Sequence, residues 1–216
     1  MTDRTTLLVL SLTKIRENAV VLHTLSPGFG RRSFITTVSR TTPMALFLPL
    51  NILDAEVSEN PKSELWRIRN VSLKYPLNSI RSNVYKNAIA MFVSEVLFRA
   101  VREGMESDTL FDWCCKSVLG LDSLESDFSN FHLLFLLGLA TQLGFEASQE
   151  NVAPFVGENY TVVGKLIALP MAEALLLPMS GKTRNDIAQS LIRYLSNHTE
   201  TAINVQSLKV LSEVLR

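Results

Sequence analysis

The feature that most constrains the fold is a change of hydrophobic period at Tyr75-Pro76. Before it, apolar residues come in short runs rich in β-branched side chains. After it they recur every three or four residues. Alternation suits a pleated strand with one buried face, and recurrence near 3.6 suits a helix. The chain is therefore expected to be β-rich in front and helical behind.

Five front segments read as strands: Leu7–Ile15, Ala19–Leu25, Arg32–Arg40, Leu46–Val57 with Pro49 near its start, and Leu65–Leu73. Ser26-Pro-Gly-Phe-Gly30 is a strong turn, because glycine supplies positive φ and proline fixes a negative one. Ser58–Ser63 is a polar turn. In the fifth segment Arg67 and Arg69 fall on one face and Trp66 and Ile68 on the other. Five short strands in this length suggest a small closed barrel over residues 1–77.

The remainder, 78–216, reads as an all-α domain. A long helix covers Val84–Val101, with Ser82 or Asn83 as N-cap and Gly104 beyond its end. Ser107 opens a second, and Asp127 or Ser129 a third that runs from Phe131 to Leu143. That third segment is apolar nearly all round, so it belongs at the centre of the domain. Residues 146–165 carry no clear period and read as loop or a short hairpin. Met171–Leu177, Thr183–Ser196 and Val205–Leu215 read as helices.

Net charge is zero, which taken alone disfavours an anionic partner. The distribution changes that. Residues 1–50 hold six basic and two acidic side chains, net +4, whereas residues 81–216 hold eleven and fifteen, net −4. An anionic ligand would meet the front of the molecule. With two adjacent cysteines, Cys114 and Cys115, no disulfide framework is expected and a reducing, cytoplasmic setting is. The apolar stretches are too short or too broken to span a bilayer, so no membrane is expected as partner.

Catalytic chemistry finds no footing. Gly28 and Gly30 lack the rest of a nucleotide fingerprint, and Gly181-Lys182-Thr183 lacks the earlier glycine of a phosphate loop. His23, His132 and His198 stand far apart, without metal-ligand spacing. His132 reads as a core histidine and the cysteines as core packing. A hydrolase or nuclease would need paired carboxylates or a metal set. No cofactor, no metal and no enzymatic activity are expected.

What remains is cations and aromatics on a barrel. Phosphates need cations and bases need flat π-surfaces, which together serve single-stranded nucleic acid. Lys14, Arg16, Arg31, Arg32, Arg40, Arg67 and Arg69 supply charge, and Phe29 and Phe34 lie among them. The competing reading puts Phe34 and Trp66 in the core. Arg31, Arg32 and Arg40 are expected to carry the phosphate contacts, with Arg16 and Lys14 assisting: Arg31 and Arg32 follow the Gly28–Gly30 turn, where they would leave an uncrowded hairpin tip, and Arg40 would end the same strand.

The order and spacing of several stretches resemble the RecO family of recombination mediators. They are Asn18–Gly30, Leu46-Phe-Leu-Pro-Leu50, Ile89–Arg99 with Leu110-Phe-Asp112, Asn130–Phe145, and Ser207–Leu215. The resemblance implies an N-terminal OB-fold barrel followed by a helical domain. It implies a role in DNA repair at the nucleoid: binding of single- and double-stranded DNA, strand annealing, and recombinase loading with RecR. It also implies docking of the C-terminal tail of the single-stranded DNA-binding protein on the helical domain, for which Arg99 and Arg102 are the candidates here. Two departures stand out. Only Arg40 matches the basic positions that family members carry in and after the third strand, and Ser129-Asn130 stand where some have basic residues. A four-cysteine zinc site has no counterpart. The alternative reading is a protein-interaction adaptor of the same pathway that binds DNA weakly.

Overall fold

The computed structural model describes residues 2–61, 63 and 65–216. The polar turn expected at Ser58–Ser63 includes Lys62, which lies outside the described residues. The chain divides into two compact units: residues up to Asn78 with Val101–Val118, and Ser79–Ala100 with Leu119–Arg216.

The first unit holds five strands: β1 (Thr2–Lys14), β2 (Ala19–Ser26), β3 (Gly30–Thr37), β4 (Ile52–Ser58) and β5 (Trp66–Leu73). They close into a barrel in the order β1-β2-β3-β5-β4, the expected OB-fold. All pairings are antiparallel except β3 with β5. β1 is long enough to serve two neighbours. Its first half pairs with β4 and its second with β2, and a bulge between Val9 and Ser11 turns it from one to the other. Leu7, Val9, Val20, Leu22, Phe34, Leu53, Val57 and Ile68 fill the interior.

Two of the expected strands are shorter than their sequences suggest. The third stops at Thr37, and Arg40 lies in the loop beyond it. Val38 N–H donates to the Asn18 carbonyl. Ser39 and Thr42 then close a turn in which the Ser39 hydroxyl accepts from Thr42 N–H, so side-chain bonding outcompetes the ladder. The fourth begins at Ile52, not Leu46. Met44–Phe47 form a 3-10 turn, held because the Asn51 amide donates to the carbonyls of Ala45 and Leu46, and Phe47 plugs the core.

Residues 101–118, expected with the helices, group with the barrel instead. The β2–β3 turn explains this. Gly104 N–H donates to the Arg31 carbonyl at 2.9 Å, and Gly28 N–H donates to Asp108 at 2.8 Å. Gly30, at φ +61°, lies so close to the Met105 carbonyl that a side chain there would collide with it. This segment leads into α3 (Asp108–Ser123), where the Ser107 hydroxyl accepts from Leu110 N–H.

The second unit is helical. Preceding α3 in sequence are α1 (Asn78–Ser82) and α2 (Val84–Ala100); following it are α4 (Phe131–Gln142), α5 (Gln149–Val156), α6 (Tyr160–Ala168), α7 (Met171–Leu175), α8 (Gly181–Thr199) and α9 (Ser207–Val214). Asn83 caps α2 as expected, accepting from Tyr85 and Lys86 N–H. α4 is the buried central helix that its composition demands. Residues 146–165 are a correction: they form α5 and most of α6. Each is short, and a 3-10 turn starting at Gly157 separates them, so neither shows enough turns to reveal a period.

Three polar side chains of this unit bond across it to backbone. Lys86, buried, donates to the Ser79 hydroxyl (2.6 Å) and to the carbonyls of Asp122 and Leu124. Asn130 occupies the N-cap position of α4 without a side-chain cap; its amide donates to the carbonyls of Ala174, Leu175 and Leu177, and its side-chain oxygen accepts from Arg184 Nε. Glu95 on α2 accepts from Gln206 N–H, Ser207 N–H and the Ser207 hydroxyl, which anchors the start of α9. Burial opposes charge on Glu95, but those hydrogen bonds and the nearby Arg99 prevail and hold its carboxyl below the ordinary value. No helix among the described residues is long and apolar enough to cross a membrane.

Candidate nucleic-acid interface

The barrel separates the candidate cations into groups. β1, β3 and β5 run in one direction, so the β1–β2 turn and the exit of β3 share one end. Lys14, Arg16 and Arg40 all lie at that end, because Val38 N–H is bonded to the Asn18 carbonyl at 2.8 Å and Arg40 follows two residues on. All three are exposed, and none forms an ion pair with a described residue. Arg67 and Arg69 project outward from β5 beside β3, with Ile35 opposite Arg67. Arg69 sits across from Glu56, which is already engaged by Arg4 and Asn70.

Arg31 and Arg32 lie at the opposite end, about 20 Å from Thr37 at ~3.3 Å per residue. The expectation of an uncrowded tip fails for Arg31. Its side chain is only 16% exposed and faces Glu103 at 3.8 Å. Burial lowers the Arg31 pKa from its ordinary value, against the raising pull of Glu103. Glu103 has a second hold on the barrel, accepting from the Ser33 hydroxyl at 3.0 Å. Ser33 in turn lies 2.9 Å from His23 Nδ1, and Thr13 lies 3.2 Å from His23 Nε2. Because Ser33 donates to Glu103, it accepts from His23 Nδ1–H, which assigns Nε2 as the acceptor for Thr13. Burial, and then Arg31, lower the His23 pKa, which favours this neutral ring. Sequence reasoning missed this ladder, since Glu103 lies 70 residues beyond Ser33 and no local pattern links them.

The aromatic candidates form one cluster. Phe34 is fully buried, which removes it as a stacking surface. It sits on the inward register of β3 among Val20, Leu22 and Leu53. Trp66 packs edge-on against it at 6.3 Å, and Phe29 against Trp66 at 5.1 Å. The Arg32 guanidinium lies 4.5 Å from the Trp66 ring centre, so one aromatic face is already taken by a cation. Phe29 keeps partial exposure.

A groove of about 390 Å³ runs along the outer side of β1, β4 and β5. Asp54 and Glu56 line it and are paired with Lys74 (3.2 Å) and Arg4 (3.5 Å). Its carboxylates suit a polyanion poorly, in contrast to the surface with Lys14, Arg16 and Arg40. The cysteines offer no nucleophile at neutral pH: burial pushes the Cys114 thiol up, and burial with Asp112 pushes Cys115 up to about 12. No three His, Cys, Asp or Glu side chains gather as a metal set among the described residues. Arg99 and Arg102 are exposed and fall in different units, and Arg99 lies over the Phe98 ring at 5.7 Å.

The family model described as "Recombination protein O C terminal" matches residues 81–153. The chain is 30% identical to the DNA repair protein RecO of Bacteroides fragilis, over 99% of both chains. It is 34% identical to that of Phocaeicola vulgatus over 70% of this chain and 64% of the other, and 29% identical to that of Flavobacterium psychrophilum over 99% of both. Barrel topology, helical rear and near full-length similarity agree, and the chain belongs to the RecO family of DNA repair proteins.

Proposed function

We propose that the protein serves DNA repair and recombination as a non-enzymatic mediator whose barrel binds single- and double-stranded DNA. The observation that carries this reading is the cluster of Lys14, Arg16 and Arg40, exposed and without acidic partners among the described residues, on one end of an OB-fold. Glu17 follows Arg16 in the same turn but forms no ion pair with a described residue, so the three cations keep their charge available for phosphate and release counterions on binding. Arg67 and Arg69 extend the charged surface along β5. Arg31, Arg32 and Phe29 contribute less, being engaged by Glu103 and Trp66.

Phosphate binding without base readout suits annealing of complementary strands, because it holds either strand whatever its sequence. Loading of the recombinase with RecR, and docking of the single-stranded DNA-binding protein's tail at Arg99 or Arg102, complete the proposal. Both arginines are exposed, as an acidic peptide requires. The adaptor reading is favoured by one observation, the Glu103 pairing that takes Arg31 out of play.

Titration of a labelled single strand and a duplex at two salt concentrations tests the proposal. DNA binding that weakens steeply with salt supports it. Absence of binding at low salt, with RecR still bound, supports the adaptor. Replacing Arg99 and Arg102 with alanine should weaken binding of the tail peptide, and unchanged affinity removes both from the site.

A further inference from the structure

The exposed large apolar side chains of the barrel unit are unevenly placed. Among the described residues they are Ile15, Met44, Leu48, Leu73 and Tyr75. All five lie at the end where β1, β3 and β5 finish: in the β1–β2 turn, in the β3–β4 connection, and at or just past the last residue of β5. Among the described residues, the connections at the opposite end carry none. A single exposed apolar residue is ordinary, but segregation to one end is informative.

Ile15 is the sharpest of them. It is 49% exposed, at the tip of a turn, between Lys14 and Arg16. β-branched isoleucine is not a turn former; glycine, asparagine, aspartate and serine are. The tip is also held rigid. Ile15 and Arg16 N–H both donate to the Ala19 carbonyl, at 2.9 and 3.1 Å, and Asn18 is tied to β3 through Val38. The chain has thus fixed an apolar side chain in solvent with a cation on either side. Lys14 and Arg16 flank Ile15 directly, and Glu17 follows Arg16 in the same turn.

We propose that this end of the barrel is a wedge for DNA at a junction of duplex and single strand. Ile15 inserts against the terminal base step and unstacks it, Lys14, Arg16 and Arg40 hold the flanking phosphates, and Met44 and Leu48 offer apolar surface to the displaced bases. Insertion of an apolar side chain between cations is a general means of opening a base step. The wedge rests on the DNA-binding reading above. It adds that the preferred ligand is a junction and that binding opens it.

The experiment uses the full chain and a partial duplex with 2-aminopurine at the junction, whose fluorescence rises when the base unstacks. The parent protein should raise the emission on binding. Ile15→Ser should abolish the rise with thermal stability unchanged and affinity within about a factor of three, since no charged contact is lost. Lys14→Ala with Arg16→Ala should lower affinity itself. If the parent binds the junction without a rise, or Ile15→Ser keeps it, the wedge is overturned and the DNA-binding reading stands. If the parent binds no DNA in any form, both fall together.

Discussion

His132 shows what a single buried side chain imposes. It is 2% exposed, its ring meets Phe92 edge-on at 5.6 Å, and its Nδ1 has no hydrogen-bond partner among the described residues. Burial first, then the nearby Arg184, depress its pKa to about 3. The folded protein therefore holds His132 neutral, while the unfolded chain takes up a proton near pH 6.5. Its contribution to stability is complete above pH 6.5 and is lost progressively as pH falls toward 3. At pH 5 the loss amounts to about 2 kcal/mol, from 1.36 kcal/mol per pH unit. Urea unfolding of the parent and of His132→Asn at pH 7 and pH 5 should show the parent's acid loss reduced by that amount in the variant. An identical loss in both would mean that His132 is not the buried group being titrated. Its place in the core was legible from the apolar residues around it, Phe131 and Leu133 to Leu137; the unsatisfied Nδ1 was not, because that depends on what packs against α4 from elsewhere.

At the scale of elements, the strands and helices that pack one broad apolar face were readable, and those defined by side-chain-to-backbone bonds were not. β2 and α2 follow their hydrophobic pattern nearly to the residue. The 3-10 turn at Met44–Phe47 looked like a strand because Leu46, Phe47 and Leu48 are apolar. It is Asn51, bonding back to Ala45 and Leu46, that bends it. The β2–β3 turn shows a tertiary effect of the same kind. Gly30 was legible as a turn residue, but its second role, close approach to Met105, is a contact across 75 residues. Gly30→Ala should therefore cost more than the about 1 kcal/mol of positive-φ strain alone: about 2 to 4 kcal/mol, with faster hydrogen exchange at Gly104 and Met105. A cost near 1 kcal/mol with unchanged exchange would mean that the segment is held elsewhere. Gly28→Ala is the control, since its added methyl meets nothing and only the backbone strain remains.

For the molecule as a whole, zero net charge conceals a division of labour. The basic excess of the first 50 residues was visible in the sequence; how it is spent was not. Structure assigns Arg31 to Glu103 and Arg32 to Trp66, and leaves Lys14, Arg16 and Arg40 together at the other end of the barrel. The central claim is that this second group binds DNA phosphates, and it is tested by the salt dependence of single-strand binding in two variants. In Lys14→Ala/Arg16→Ala/Arg40→Ala, three lost contacts should flatten the slope of log K against log salt by about 2, at ~0.7 per phosphate, with thermal stability nearly unchanged. In Arg31→Ala/Arg32→Ala the flattening should be less than about 0.7, accompanied by a loss of stability from the freed Glu103 and uncovered Trp66. A triple variant that binds single-stranded DNA with the parent's affinity and slope would contradict the account.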